Sequence, residues 1–293
     1  MSLHQTNANH INMTIEALYP CAGNHAVQGA AFVLEWSPAL DDQTLRAVGA
    51  LAPQLRSSFP AMDEQRQITV QLETPRKKPG RHQPKARTAP APSIAGVRFL
   101  NPSGAEPGAF TRLIQIQREN CVISVNEYSN WATVWPRVKR WLDIVLPVAL
   151  SGRALTAITL QYQDLFLWKD DPSKLNMREV FRANSPYLPP NCFEQSSAWH
   201  SHHGFLDEFV GVYQGSLLDN INLNVNLIEG QKQVAALMTH RATLSRPLWS
   251  DNATQAIDWL FPVLHSRTKE RFTKVFTDEV IAKVNLNHER EIA

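Results

Sequence analysis

The run Trp199-His200-Ser201-His202-His203-Gly204-Phe205-Leu206-Asp207-Glu208 holds the densest set of metal-binding side-chain types in the chain. On an extended strand His200 and His202 fall on one face, because side chains alternate with a period of two. Two imidazoles so placed, completed by Asp207, would suit the divalent metal of a hydrolase. The spacing matches no established metal motif, and the competing reading is an exposed polar strand or loop.

A second pattern offers hydrogen bonds in place of a metal. Asn220, Asn222, Asn224 and Asn226 alternate with Ile221, Leu223, Val225 and Leu227. That is a half-buried antiparallel strand with an all-amide outer face. Its donors and acceptors recur about every 7 Å, two strand rises apart. Such a face could read a peptide, a base or another sheet, with Asn222, Asn224 and Asn226 as its working residues. Tyr162 and Asp164 share one side of another strand candidate and are expected nearby. They either bond to each other at a core edge or line a cleft. His265 and Arg267 lie near Pro262 in a helical stretch, where a bend would leave either a polar pocket beneath or a helix-surface His.

The third pattern is electrostatic. Residues 75–92 carry Arg76, Lys77, Lys78, Arg81, Lys85 and Arg87, no acid, and Pro75, Pro79, Pro84, Pro90 and Pro92. This reads as an extended, exposed loop whose cations could neutralise an anionic partner. It has no Phe, Tyr or Trp on which a base could stack, which weakens the nucleic-acid reading. The formal net charge of the chain is +2, so without those six cations the remainder is mildly acidic. That argues against a surface built as a whole for nucleic acid.

The elements that must position these residues follow from periodicity. Val27 to Trp36 reads as a strand. A helix from Asp41–Asp42 to Phe59, with Leu45, Val48, Leu51, Ala52 and Leu55 on one side, is kinked or shortened by Pro53. Ile68, Val70 and Leu72 alternate as a strand, and Val97 to Leu100 is a short one. Leu113, Ile114 and Ile116 form a hairpin with residues 121–126 around Arg118, Glu119 and Asn120. Trp131, Val134, Trp135, Val138, Trp141, Leu142 and Val145 recur at three and four, a helix whose Trp side is expected to cover a sheet. Pro136 places its regular start near Thr133.

Leu155 to Trp168 is a long strand, and Leu175 to Arg182 suggests a short helix. Gly230 turns the Asn strand into a partner from Lys232 to Leu244. A last major helix starts near Asp251 with Ala253, Ala256, Ile257, Leu260, Phe261 and Leu264 inward. Thr277 and Asp278 cap a final short one.

The order strand, helix, antiparallel strands, long helix thus occurs twice. The expected fold class is α+β, two units of antiparallel sheet each covered by a long helix. The division is a flexible tail at 1–24, a first unit at 25–152 carrying the basic loop, and a second at 153–293. No apolar run approaches the roughly 20 residues that span a bilayer. Met1 to Thr14 is polar, so a cytoplasmic location is the expectation. Cys21, Cys121 and Cys192 are too few and too scattered for a disulfide framework or a cysteine-rich zinc site.

Several of these residues resemble a sporadically distributed, functionally uncharacterised prokaryotic family of about this length. They are Phe59-Pro60, Tyr128, Trp131, Leu160-Gln161-Tyr162-Gln163-Asp164, Leu264-His265, Phe272 and Thr277-Asp278-Glu279. The family's Arg-Tyr-aliphatic-Asn strand stands here as Gln161-Tyr162-Gln163-Asp164, and the basic loop looks like an insertion. The resemblance implies a fold and no mechanism. The family's patchy occurrence suggests an accessory role in defence or mobile-element biology.

No phosphate-binding Gly loop, nucleophile elbow or HExxH helix is present. The sequence therefore favours a non-enzymatic cytoplasmic adaptor that binds another protein, with no cofactor and no membrane. Two alternatives stay open: a nucleic-acid binder using loop 75–92, and a metal-dependent hydrolase at His200, His202 and Asp207.

Overall fold

The computed structural model describes residues 15–67, 93–195, 197–284 and 286. The strands are β1 (Leu18–Pro20), β2 (Val27–Ser37), β3 (Ala61–Gln67), β4 (Ser93–Pro102), β5 (Phe110–Gln117), β6 (Asn120–Val125), β7 (Ala154–Trp168), β8 (Trp199–Val210), β9 (Gln214–Ile228) and β10 (Gln231–Trp249). The helices are α1 (Asp42–Gly49), α2 (Ala52–Leu55), α3 (Trp131–Ala149), α4 (Met177–Val180), α5 (Ser250–Val275) and α6 (Asp278–Lys283). All ten strands belong to one antiparallel sheet, ordered β3-β4-β5-β6-β2-β7-β10-β9-β8. The short β1 pairs with β7 in line with β2.

This overturns the expectation of two sheets, each under its own long helix. β2 bonds to β7 across the supposed boundary at residue 152, in a register that includes Ala30↔Tyr162 and Leu34↔Ile158. The described strands form one sheet, and among the described residues no helix covers a second. The order of elements could not decide this, because it fixes which strands are near in sequence and leaves open whether the two halves pair. Phe32 of β2 also packs edge-on against Phe261 of α5, ring centroids 5.3 Å apart, so the core is shared as well. Nor is the stretch before residue 25 wholly a tail. Leu18 is fully buried in β1, while residues 1–14 lie outside those described.

Period-two alternation explains which face is covered. Phe32, Leu34 and Trp36 of β2, Ile158, Leu160 and Tyr162 of β7, and Ala242 and Leu244 of β10 enter one core with the inward residues of α1, α2, α3 and α5. A second cluster joins Phe166, Trp168, Ile221, Leu223, Val225 and Met238 to α4, α6 and the end of α5. Each buried Phe or Leu there contributes about 1.5–3 kcal/mol. The opposite side chains of the same strands lie on a face that none of these helices covers.

Local departures have local causes. Pro53 stands at the start of α2, so the expected first helix is split into α1 and α2. The Asn130 side chain accepts from Thr133 N–H and starts α3 two residues earlier than Pro136 suggested. The short helix expected over 175–182 is confined to α4. Glu229 and Gly230 both have positive φ (51° and 80°), the geometry that lets a two-residue turn join β9 to β10. Thr277 is the N-cap residue of α6, but its hydroxyl does not bond to the helix and donates to the Glu179 carbonyl instead. The expected strand at Ile68, Val70 and Leu72, and the whole basic set Arg76, Lys77, Lys78, Arg81, Lys85 and Arg87, lie outside the described residues. Among the described residues, no helix is long and apolar enough to cross a membrane.

Candidate functional site

Two regions gather the polar side chains, one on each face of the sheet. On the open face, registration brings the histidines and the asparagines together. His200 stands opposite Asn224 and His202 opposite Asn222. Asn222 continues across Leu237 of β10 to Gln163 of β7, and Asn220 across Thr239 to Gln161. Gln163 Nε2 donates to Gln28 Oε1 at 2.8 Å, and Thr239 donates to Gln161 at 3.2 Å. The result is a neutral array of imidazoles and amides over β8, β9, β10 and β7. His200, His202, Gln163 and Asn226 are exposed. Two arginines of this face are neutralised: Arg241 forks onto Glu35 at 2.8 Å and Arg98 onto Asp63. Beyond His202, the outer strand β8 exposes Leu206 and Val210.

The metal set is not assembled. Asp207 has the opposite parity from His200 and His202, so it projects to the covered face, where it pairs with Arg267. No group of three or more His, Cys, Asp or Glu among the described residues could hold a metal ion. Tyr162 and Asp164 are likewise separated from Asn222, Asn224 and Asn226, because their parity puts them on the covered side. Both are buried there, and they do not bond to each other.

Instead they line a cavity of about 80 Å³ between β7 and α5, with His25, Val27, Tyr128, His265, Lys269 and Phe272 among its other walls. That is room for a few waters or one small polar group. Tyr162 Oη lies 3.0 Å from His265 Nδ1, and the His265 ring stacks on Trp131 of α3, centroids 4.2 Å apart. Burial, then the charge of Lys269, pushes His265 down to about 3, so the imidazole is neutral. Burial alone pushes the Asp164 carboxyl up to about 7. His265 Nε2 and His25 Nδ1 are buried without hydrogen-bond partners among the described residues. The sequence offered a polar pocket beneath a Pro262 bend as one of two options; His265 lines this cavity, which Pro262 does not touch. Arg267 does not line it; it turns the other way.

Arg267 belongs to a second buried cluster that sequence reasoning missed. Asp219 of β9 is fully buried, with His240 Nδ1 at 2.6 Å, Arg267 Nε at 2.8 Å from both carboxylate oxygens, and Arg271 Nε at 3.0 Å. Burial would raise this carboxyl, but the His240 and Arg267 hydrogen bonds and charges override it and hold it well below the usual carboxylate range. The signal was available: Asp219 and His240 sit at inward positions of their strands, where the alternation calls for apolar residues.

No protein-family model matches the chain and no curated protein matches it, so any functional reading rests on these side chains.

Proposed function

We infer that the protein is a non-enzymatic cytoplasmic adaptor that presents the open face of its sheet to a protein partner. The observation that carries this is the in-register array of His200, His202, Asn222, Asn224 and Gln163 across neighbouring strands. Uncharged amides bond equally well to a peptide backbone or to polar side chains, and cost little to desolvate beside charged groups. The adjoining apolar edge at Leu206 and Val210 adds the hydrophobic component that protein interfaces carry. Phosphates would need unpaired cations, and Arg98 and Arg241 are already forked onto carboxylates, which favours a protein over a nucleic acid on this face. An accessory role in defence or mobile-element biology is compatible with such an adaptor.

The test is affinity capture from the native host with the wild type and with Asn222→Ala/Asn224→Ala/Asn226→Ala. Each lost hydrogen bond is worth about 0.5–1.5 kcal/mol, so the triple variant should lose most of a stoichiometric protein partner. Its thermal midpoint should stay close to that of the wild type. Equal capture by both proteins would reduce the array to plain surface. A nuclease-sensitive nucleic acid in place of a protein would move the function to the basic stretch 75–92.

A further inference from the structure

The cavity between β7 and α5 ends on a carboxyl that the fold does not use. Asp164 is 4% exposed and lines the cavity, yet its side chain accepts no hydrogen bond and joins no ion pair among the described residues. Lys269 is on the same wall and has a partner of its own. Buried carboxylates ordinarily persist only when paired, so an uncompensated one facing a cavity points to a partner that comes from outside. The remaining walls define that partner. Tyr128 and Tyr162 meet edge to face at 5.5 Å, His25 packs edge-on against Tyr128 at 5.8 Å, and Phe272 and Val27 complete an apolar lining. Aromatic rings lining a cavity that holds one carboxylate are complementary to an organic cation with a short apolar stem, and desolvation strengthens both attractions. An anion would meet Asp164, and a metal ion would find a single carboxylate.

We propose that this cavity binds an alkylammonium head group, with Asp164 as its counter-ion and the rings of Tyr128, Tyr162 and Phe272 as its walls. The site lies on the face of the sheet opposite the Asn array, so it stands or falls separately from the adaptor reading. A free small amine and the lysine head group of a polypeptide share this chemistry. The probes are therefore n-butylammonium, its neutral analogue 1-butanol, and an acetylated, amidated single-lysine peptide, each followed by NMR titration of the full chain.

Butylammonium or the lysine peptide should shift resonances of the lining residues, and 1-butanol should not. Binding of butylammonium without the peptide assigns the source as a free amine; tighter binding of the peptide assigns it to a polypeptide. Asp164→Asn should weaken the interaction about thirtyfold or more, the scale for truncating one partner of a buried charge pair. Ser129→Trp, at an exposed position on the rim, should block entry while leaving Asp164 in place, so the test survives if the Asn variant fails to fold.

Affinity should rise as the pH is raised from about 6 to about 8, because Asp164 ionises near 7. Of the other titratable groups around it, burial lowers His25, pushes His265 down to about 3 and raises Cys21; Tyr128, Tyr162 and Lys269 complete the set. Equal binding of 1-butanol and butylammonium, unchanged binding in both variants, or no binding of either cationic probe would overturn the proposal.

Discussion

Asp164 on β7 and Asp219 on β9 occupy matching settings. Both stand at inward positions of neighbouring parts of one sheet, both are buried, and both lie under α5. One carboxyl is pushed up and the other held down. Burial is common to the two, so burial cannot be the reason they differ. The difference lies in what α5 sends toward each. Arg267 and Arg271, one turn apart, converge with cross-strand His240 on Asp219. His265 and Lys269, also one turn apart but on another side of the helix, face the Asp164 cavity. There the imidazole is spent on Tyr162. Asp219 is a lock that ties helix to sheet, whereas Asp164 faces a cavity with no hydrogen-bond or ion-pair partner among the described residues.

That contrast breaks most visibly in stability. Asp219→Ala should cost about 3–5 kcal/mol in urea unfolding, since it leaves two guanidinium groups and an imidazole facing an empty position. Asp164→Asn should cost nothing at about pH 4 and should stabilise the protein progressively as the pH rises to about 7. A large loss from the Asn variant would mean that Asp164 has a structural partner after all.

The pH dependence sharpens the same difference. The folded Asp164 carboxyl titrates near 7 against an ordinary value of 3.8. The folded state therefore holds a proton that the unfolded chain has released, and stability falls as pH rises from about 4 to about 7. That difference is worth at most on the order of 4 kcal/mol. Asp219, held down, acts in the opposite sense: its contribution is present above about 4 and is lost as the pH falls further. Urea midpoints measured across this range should slope downward in the wild type and flatten in Asp164→Asn. An unchanged slope in the variant would place the responsible proton elsewhere.

How much of this could be read from the chain depends on the range of the interaction. Alternation placed β7, β9 and β10 and the amides on their outer side, because a period of two is a local property. The Trp131 to Val145 stripe likewise marked the buried side of α3. Sheet membership was not legible: Ala30 pairs with Tyr162 across more than a hundred residues, and nothing local in either strand says so. The same non-local registration united His200 and His202 with Asn222 and Asn224, which the sequence offered as separate features, and sent Asp207 away from both. Leu227 continues the inward alternation of β9, yet it is exposed because the strand outruns the core. The inward polar residues Asp164, Asp219 and His240 were visible as breaks in pattern. The arginines that meet Asp219 were not, because Arg267 and Arg271 arrive on a helix that the strand pattern does not know about.

Within the lock, the two arginines should be unequal. Arg267 reaches both oxygens of Asp219 and also pairs with Asp207 of β8, whereas Arg271 reaches Oδ2 alone and shares itself with Glu270. Arg267→Met should therefore destabilise more than Arg271→Met by about 1 kcal/mol, the scale of one net charge-assisted bond. Equal losses would show that total charge around Asp219, and not the fork geometry, sets its behaviour.

The smallest effect belongs to the cavity side. Tyr162→Phe removes the hydroxyl 3.0 Å from His265 Nδ1 and keeps the ring that walls the cavity. Losing one neutral hydrogen bond costs about 0.5–1.5 kcal/mol, and the imidazole stays stacked on Trp131. Because the bond serves His265 and not Asp164, the downward stability slope between about 4 and 7 should persist in Tyr162→Phe. If that slope vanished with the hydroxyl, Asp164 would be coupled to the Tyr162–His265 pair, and it would have to be redrawn as one end of a buried network like the one around Asp219.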